Sequence, residues 1–310
     1  MKRILLTGAT GFVGRQVLAK LAARGYEIHA VSSRPSVDLD CSLLPLAREW
    51  HTADLVATDR VSEIVHTVRP HILIHLAWLV RSGGYNDTHH RAWREASERL
   101  FDDFMRCDGE RIVVAGTCFE YDWTHGVCDE MMTPTTPITE YGKCKEQLRR
   151  YLQQKCESEG RSWGWARIFF VFGPHEQRER FIADIASGLL KGHKVACTHG
   201  RQIRDYLHSE DVADALVRLS ESHFDGICNI ASGNGVTLRD LAMTIAEKLG
   251  RVELLEFGAK AAAPHEPPVI VANVGRLSRQ LGWHPAFDLA RRLEQTIAWW
   301  SEELARAPAL

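Results

Sequence analysis

The sequence lacks any apolar run long enough to cross a bilayer, for which about 20 consecutive apolar residues are needed. It also lacks a surplus of either charge. The 38 Lys and Arg against 40 Asp and Glu give a formal net charge of -2, which leaves no electrostatic footprint for nucleic acid. The opening Lys2-Arg3-Ile4-Leu5-Leu6-Thr7-Gly8 sets basic residues before apolar ones, but the apolar run stops after three residues. That is too short for the core of a secretory signal, so a cytoplasmic protein with no membrane or nucleic-acid partner is expected. Eight cysteines stand at 41, 107, 118, 128, 144, 156, 197 and 228, with no C-x-x-C pair. Reduced thiols, several of them buried, are therefore expected. The fifteen histidines form no H-E-x-x-H and no zinc-type grouping with cysteine, so no metal is expected.

What is present is alternation. At 310 residues and 45% hydrophobic, the chain can bury the core of one large domain or two closely joined ones. Short β-rich runs at Arg3–Thr7, Tyr26–Val31, His71–Ala77, Arg111–Ala115 and Trp165–Val171 are separated by helical stretches. Those stretches are Val13–Arg24, Arg60–Val68, Arg91–Cys107 and Tyr141–Glu157, and the tail Phe287–Leu304 is helical again. Continuous apolar strands separated by helices predict a parallel sheet covered on both faces, hence an α/β, doubly wound Rossmann fold. The alternation loosens between Gly173 and Gly200, and prolines make Ala261–Pro268 a loop. We expect residues 1–172 to form the dinucleotide-binding domain, with about 200–232 returning to it. Residues 173–310 are expected to form mainly a smaller substrate-binding lobe.

The first strand runs into Thr7-Gly8-Ala9-Thr10-Gly11-Phe12-Val13-Gly14 and then a helix. Gly8, Gly11 and Gly14 let backbone approach a pyrophosphate, and the helix N-terminus aims N–H groups at it. Phe12 and Val13 belong to the same turn. The G-x-x-G-x-x-G spacing resembles the short-chain dehydrogenase/reductase family, whose extended members carry similar turns. The second strand ends Val31-Ser32-Ser33-Arg34, without the acid that holds the ribose hydroxyls of NAD. Hydroxyls and a guanidinium suit the 2′-phosphate of NADP, so NADP(H) is expected, with NAD(H) as the alternative. By resemblance, Asp54 and Leu55 in Ala53-Asp54-Leu55 contact adenine, and Leu76 and Ala77 in His75-Leu76-Ala77-Trp78 lie beside the cofactor.

Tyr141-Gly142-Lys143-Cys144-Lys145 supplies Tyr-x-x-x-Lys, and residues four apart share a helix face. An ammonium beside a phenol favours phenolate and makes it a usable acid–base group. Val114–Tyr121 places Thr117 four residues before Tyr121, where extended members hydrogen-bond the substrate oxygen. Thr117, Tyr141 and Lys145 are thus the expected catalytic residues, the latter two also meeting the cofactor.

Arg201-Gln202-Ile203-Arg204-Asp205-Tyr206-Leu207-His208 is similar to a segment whose arginine binds a nucleotide diphosphate, which makes Arg204 the expected contact. Trp78, Arg81 and Trp123 are further expected substrate contacts on nearby loops. With Asn229–Gly233, Leu281–Pro285 and Thr296–Trp300, the resemblance to the NAD-dependent epimerase/dehydratase family covers nearly the whole chain. Cys118 and Phe119 occupy the Asp-Glu positions of dehydratases, which disfavours dehydration. Phe170 stands where many epimerases have Asn, and the usual late arginine is absent from Ala263–Pro267. The reading favoured by these departures is NADPH-dependent reduction of a keto group, at C4, on a nucleotide-linked keto-deoxysugar. A nucleotide-sugar epimerase is the alternative and a non-catalytic NADP(H) sensor the last choice. A homodimer is implied by resemblance.

Overall fold

The computed structural model describes residues 2–79, 83–264 and 266–306; Arg81 lies outside them. From the N-terminus, β1 (Arg3–Thr7) turns into α1 (Gly14–Ala23), and β2 (Glu27–Ser32) returns parallel to β1. The alternation continues through β3 (Glu49–Thr52), α2 (Arg60–Val68), β4 (Ile72–His75), α3 (His89–Arg106) and β5 (Arg111–Thr117). A short β6 (Val127–Cys128) precedes α4 (Glu140–Glu159), β7 (Ser162–Ile168) and β8 (Phe170–Phe172). Then come α5 (Phe181–Leu190), β9 (Val195–Cys197), β10 (Ile203–His208), α6 (Ser209–Glu221) and β11 (Gly226–Ile230). The last elements are β12 (Gly235–Thr237), α7 (Leu238–Leu249), β13 (Leu255–Phe257), β14 (Val269–Ala272), α8 (Gly275–Leu281) and α9 (Leu289–Arg306).

Local chemistry accounts for these elements. Ile4, Leu5 and Leu6 are wholly buried, as a strand covered on both faces requires. In α2 the buried residues are Val61, Ile64, Val65 and Val68, one face of a 3.6-residue period. Helix α4 starts where the Thr139 hydroxyl accepts from Gly142 N at 3.1 Å and stops at Gly160, whose φ is +64°. A side-chain acceptor at the start and a left-handed glycine at the end are the usual punctuation.

Seven parallel strands form the main sheet in the order β11-β7-β5-β4-β1-β2-β3. Strand order therefore reverses between β1 and β4, and ligands bind such sheets beyond the carboxyl ends of the strands at that point. One face packs on α1 and α6 and the other on α2, α3 and α4, each over its own apolar core. The single strand expected over Trp165–Val171 is two. Ile168 ends β7 in the main sheet, Phe169 N bonds to Ile230 O, and β8 pairs instead with β10 in a five-stranded sheet. That second sheet comprises β12, β10, β14, β6 and β8, and a third core lies among α5, α7 and α9. Among the described residues no helix is long and apolar enough to cross a membrane.

Candidate active site

The turn after β1 fixes the dinucleotide end. Gly8 has φ +73°, and a Cβ on it would lie 2.7 Å from the main-chain nitrogen of Ala77. A Cβ on Gly14 would overlap the Gly8 carbonyl oxygen. Glycine at these two positions lets β1, α1 and the loop after β4 meet at the switch point. Helix α1 has no side-chain cap and no acidic residue in its first turn, so its positive end is left for an anion. These features fit the pyrophosphate of a nicotinamide dinucleotide.

His75 holds the same corner together. It is fully buried, with Nδ1 2.7 Å from Thr7 Oγ1 and Nε2 2.9 Å from Ser97 Oγ. Burial, reinforced by the charge of Lys145, lowers its pKa to about 3, so the ring is neutral and serves as a hydrogen-bonding strut.

A cavity of about 640 Å³ runs from Gly8, Gly11, Phe12, Val13 and Gly14 past Leu76 and Trp78 to Thr117, Tyr141 and Lys145. Thr117 ends β5, while Tyr141 and Lys145 occupy the first turns of α4. The structure thus brings together the three residues expected from the sequence. Lys145 Nζ donates to Ala115 O at 2.8 Å and sits 3.9 Å above the Trp78 ring. Burial lowers its pKa to about 7, with Glu120 opposing. The Tyr141 phenol is pushed up by burial, with an interaction with Thr117 opposing. The expected lowering of the Tyr141 pKa is therefore not present in this arrangement, because desolvation of the phenolate outweighs the stabilising contacts.

Beneath Thr117 lies an ionic network that sequence reasoning left without a role. Glu120 is fully buried and accepts from Thr117 N (2.8 Å), Trp165 Nε1 (3.0 Å) and Arg167 Nε (2.7 Å). Arg167 also reaches Glu146 of α4 at 3.4 Å and lies 4.3 Å from the Tyr121 ring. Glu120 lies outside the cavity lining and ties the Thr117 turn to β7 and, through Arg167, to α4.

Beyond the trio the cavity is walled by Tyr85, Phe119, Phe170, Glu176, Arg180 and Tyr206. Tyr85 stacks on Phe119 at 4.5 Å and accepts from Arg180 Nη1 at 2.7 Å. Glu176 is buried, and its Oε2 is without a hydrogen-bond partner. Burial pushes this carboxyl up to about 8, with Arg180 opposing. Tyr85, Glu176 and Arg180 were missed from the sequence because no short motif carries them.

The remaining expected contacts divide. Ala77 packs its main chain on Gly8. Ser32 is buried, and its hydroxyl accepts from Arg34 N at 3.0 Å, while Ser33 and Arg34 are exposed at the end of β2. Burial pulls the Arg15 guanidinium down, Asp40 at 3.5 Å opposes this and Arg34 adds to it, so two guanidiniums share this edge. Asp54 is exposed and accepts from Val56 N at 2.9 Å and Ala57 N at 3.2 Å, and Leu55 is in the core. Trp123 does not line the cavity: its Nε1 donates to Cys118 O at 2.8 Å and its ring backs Phe119 at 4.7 Å. Arg204 is buried against Glu266 Oε1 at 3.0 Å, outside the lining. Its Nη2 already donates to Glu266 Oε1, so a diphosphate arriving there would share or displace that carboxylate.

The chain is similar over 98% of its length to the UDP-glucose 4-epimerase of Azospirillum brasilense, at 24% identity and covering 93% of that protein. The UDP-glucose 4-epimerase of Thermotoga maritima with UDP-glucose superposes with a TM-score of 0.87 at 21% identity, over 97% of this chain and 99% of that one. MoeE5 in complex with UDP-glucose and NAD gives a TM-score of 0.85 at 25% identity over the same shares. Residues 4–231 match the NAD dependent epimerase/dehydratase family, and the chain belongs to that family of nucleotide-sugar enzymes.

Proposed function

We propose that the chain epimerises a nucleotide-linked sugar, oxidising a ring alcohol to a ketone and reducing it again in one cavity. The observation that carries this reading is the continuity of that cavity. It joins the glycine turn to Thr117, Tyr141 and Lys145 and runs on to Glu176 and Arg180. Bound NAD supplies the hydride acceptor and donor. Thr117 orients the sugar oxygen by a hydrogen bond, and Tyr141 takes its proton and later returns it. Burial disfavours the Tyr141 phenolate, so its formation depends on the positive charge that Lys145 brings on the same helix face. Returning hydride to the opposite face requires the ketone to turn over. Aromatic walls at Phe119, Phe170 and Tyr206 offer few hydrogen bonds to hold one orientation, which supports turning.

One observation favours a second reading, NADPH-dependent reduction of a keto-deoxysugar at C4. Arg34 N donates to Ser32, Arg15 lies close enough to feel the Arg34 charge, and β2 ends without an acid. That pair of cations suits a 2′-phosphate. The test is to extract any nucleotide retained by the purified protein, then supply UDP-glucose alone or NADPH with a nucleotide-linked 4-keto-6-deoxysugar. Retained NAD and formation of the 4-epimer without net absorbance change support epimerisation. Stoichiometric consumption of NADPH overturns it in favour of the reductase.

A further inference from the structure

Two Glu-x-His pairs, Glu27-Ile28-His29 on β2 and Glu49-Trp50-His51 on β3, take no part in the cavity. Alternation along a strand puts Glu27 and His29 on one face, and likewise Glu49 and His51. The strands pair in parallel with His29 opposite Glu49 and Val31 opposite His51, so all four side chains share a face at the edge of the main sheet. His29 is buried and His51 half-buried.

The donor atoms of His29, Glu49 and His51 lie within 4.8 Å of one another. His29 Nδ1 is 3.0 Å from His51 Nε2 and 3.6 Å from Glu49 Oε2. A tetrahedral zinc ion with ligand bonds of about 2.0–2.1 Å sets its donors about 3.3 Å apart, between those two distances. On the far side of the His29 ring, Glu27 Oε1 stands 3.4 Å from Nε2. That is where an outer carboxylate fixes the tautomer of a metal-bound imidazole.

We propose that His29, His51 and Glu49 bind one divalent transition-metal ion of the zinc class, with Glu27 as the outer carboxylate. Two imidazoles and a carboxylate suit zinc, and the expectation of no metal is revised accordingly. The ion clamps edge strand β3 to β2, whose ends lead into Ser32–Arg34 and Ala53–Asp54. The competing arrangement is a bare hydrogen bond from one neutral ring to the other.

The test uses the full-length untagged protein, stripped with a chelator and titrated with ZnCl2 by calorimetry and with CoCl2 by visible absorption. The expected result is one ion per chain, with cobalt bands of a four-coordinate site. His51→Gln is expected to weaken zinc binding by more than about tenfold and Glu27→Gln by about tenfold. Zinc should raise the thermal midpoint of the unaltered protein and leave that of His51→Gln unmoved. Absence of stoichiometric binding, or binding by His51→Gln equal to the unaltered protein, overturns the site. His29→Asn gives the same readout where it folds; the half-buried His51 decides the matter alone where it does not.

Discussion

At the dinucleotide end the cavity is lined by one turn of the chain, Gly8 and the consecutive residues Gly11 to Gly14. At the far end, side chains from separate segments converge: Tyr85 from the loop before α3, Phe119 after β5, Phe170 on β8, Glu176 and Arg180 before α5, and Tyr206 on β10. On the reading proposed above, the first end would meet a group common to every dinucleotide, and Gly8 and Gly14 are positions where no side chain fits. The second can be altered one side chain at a time without disturbing the sheet, which suits the part of a site that selects its substrate.

Four substitutions break or sharpen this contrast, in descending order of effect. Tyr141→Phe, at the junction of the two ends, should lower kcat by about 10²–10⁴-fold while cofactor affinity stays unchanged in a fluorescence titration. Comparable loss of cofactor binding would mean that the ring is structural. Glu120→Gln leaves Arg167 without its closest carboxylate. Breaking a buried pair of this kind costs about 3–5 kcal/mol, to be read from denaturant unfolding; an unchanged midpoint would show the network to be dispensable. On the second reading, NADPH-dependent reduction, Arg34→Ala should raise KM for NADPH by about 10–100-fold, the worth of a charge-assisted hydrogen bond, and leave that for NADH alone. Equal effects on both would remove Arg34 from the cofactor site.

Glu176→Gln tests the far end. A lost neutral hydrogen bond predicts a fall in kcat/KM of about 2–10-fold, without change in cofactor affinity. Stability supplies an independent readout. Burial raises the folded-state pKa of Glu176 from 4.5 to about 8, so between these values the folded chain holds a proton the unfolded chain has released. Stability contributed by this group is present at low pH and is lost as pH rises through that window. The Gln variant should therefore melt like the unaltered protein near pH 5 and several degrees higher near pH 8. A difference that is the same at both pH values would mean the carboxyl titrates normally.

The glycine turn, the helix with Tyr141 and Lys145, and Thr117 were legible because each depends on spacing within one strand, turn or helix. The same holds for the alternation that predicted the parallel sheet. Trp123 stands behind Phe119 and outside the cavity lining, because nearness in sequence to Thr117 does not say which side chain faces the cavity. Arg204 resembles a diphosphate contact in its segment, yet its partner Glu266 lies 62 residues away. The break at Phe169, which sends β8 to another sheet, is invisible in a run as apolar as Ile168-Phe169-Phe170-Val171.

By itself, then, the sequence determined the doubly wound sheet, the dinucleotide turn and the Thr117–Tyr141–Lys145 trio. Periodicity and backbone permissiveness are local properties, written in neighbouring residues. Only the tertiary structure decided that Glu176 Oε2 is buried without a hydrogen-bond partner, that Glu120 ties Thr117 to Arg167, and that His29 lies beside Glu49 and His51. Burial and strand register arise when distant segments pack, and they set both the desolvation of a charge and the identity of its neighbours.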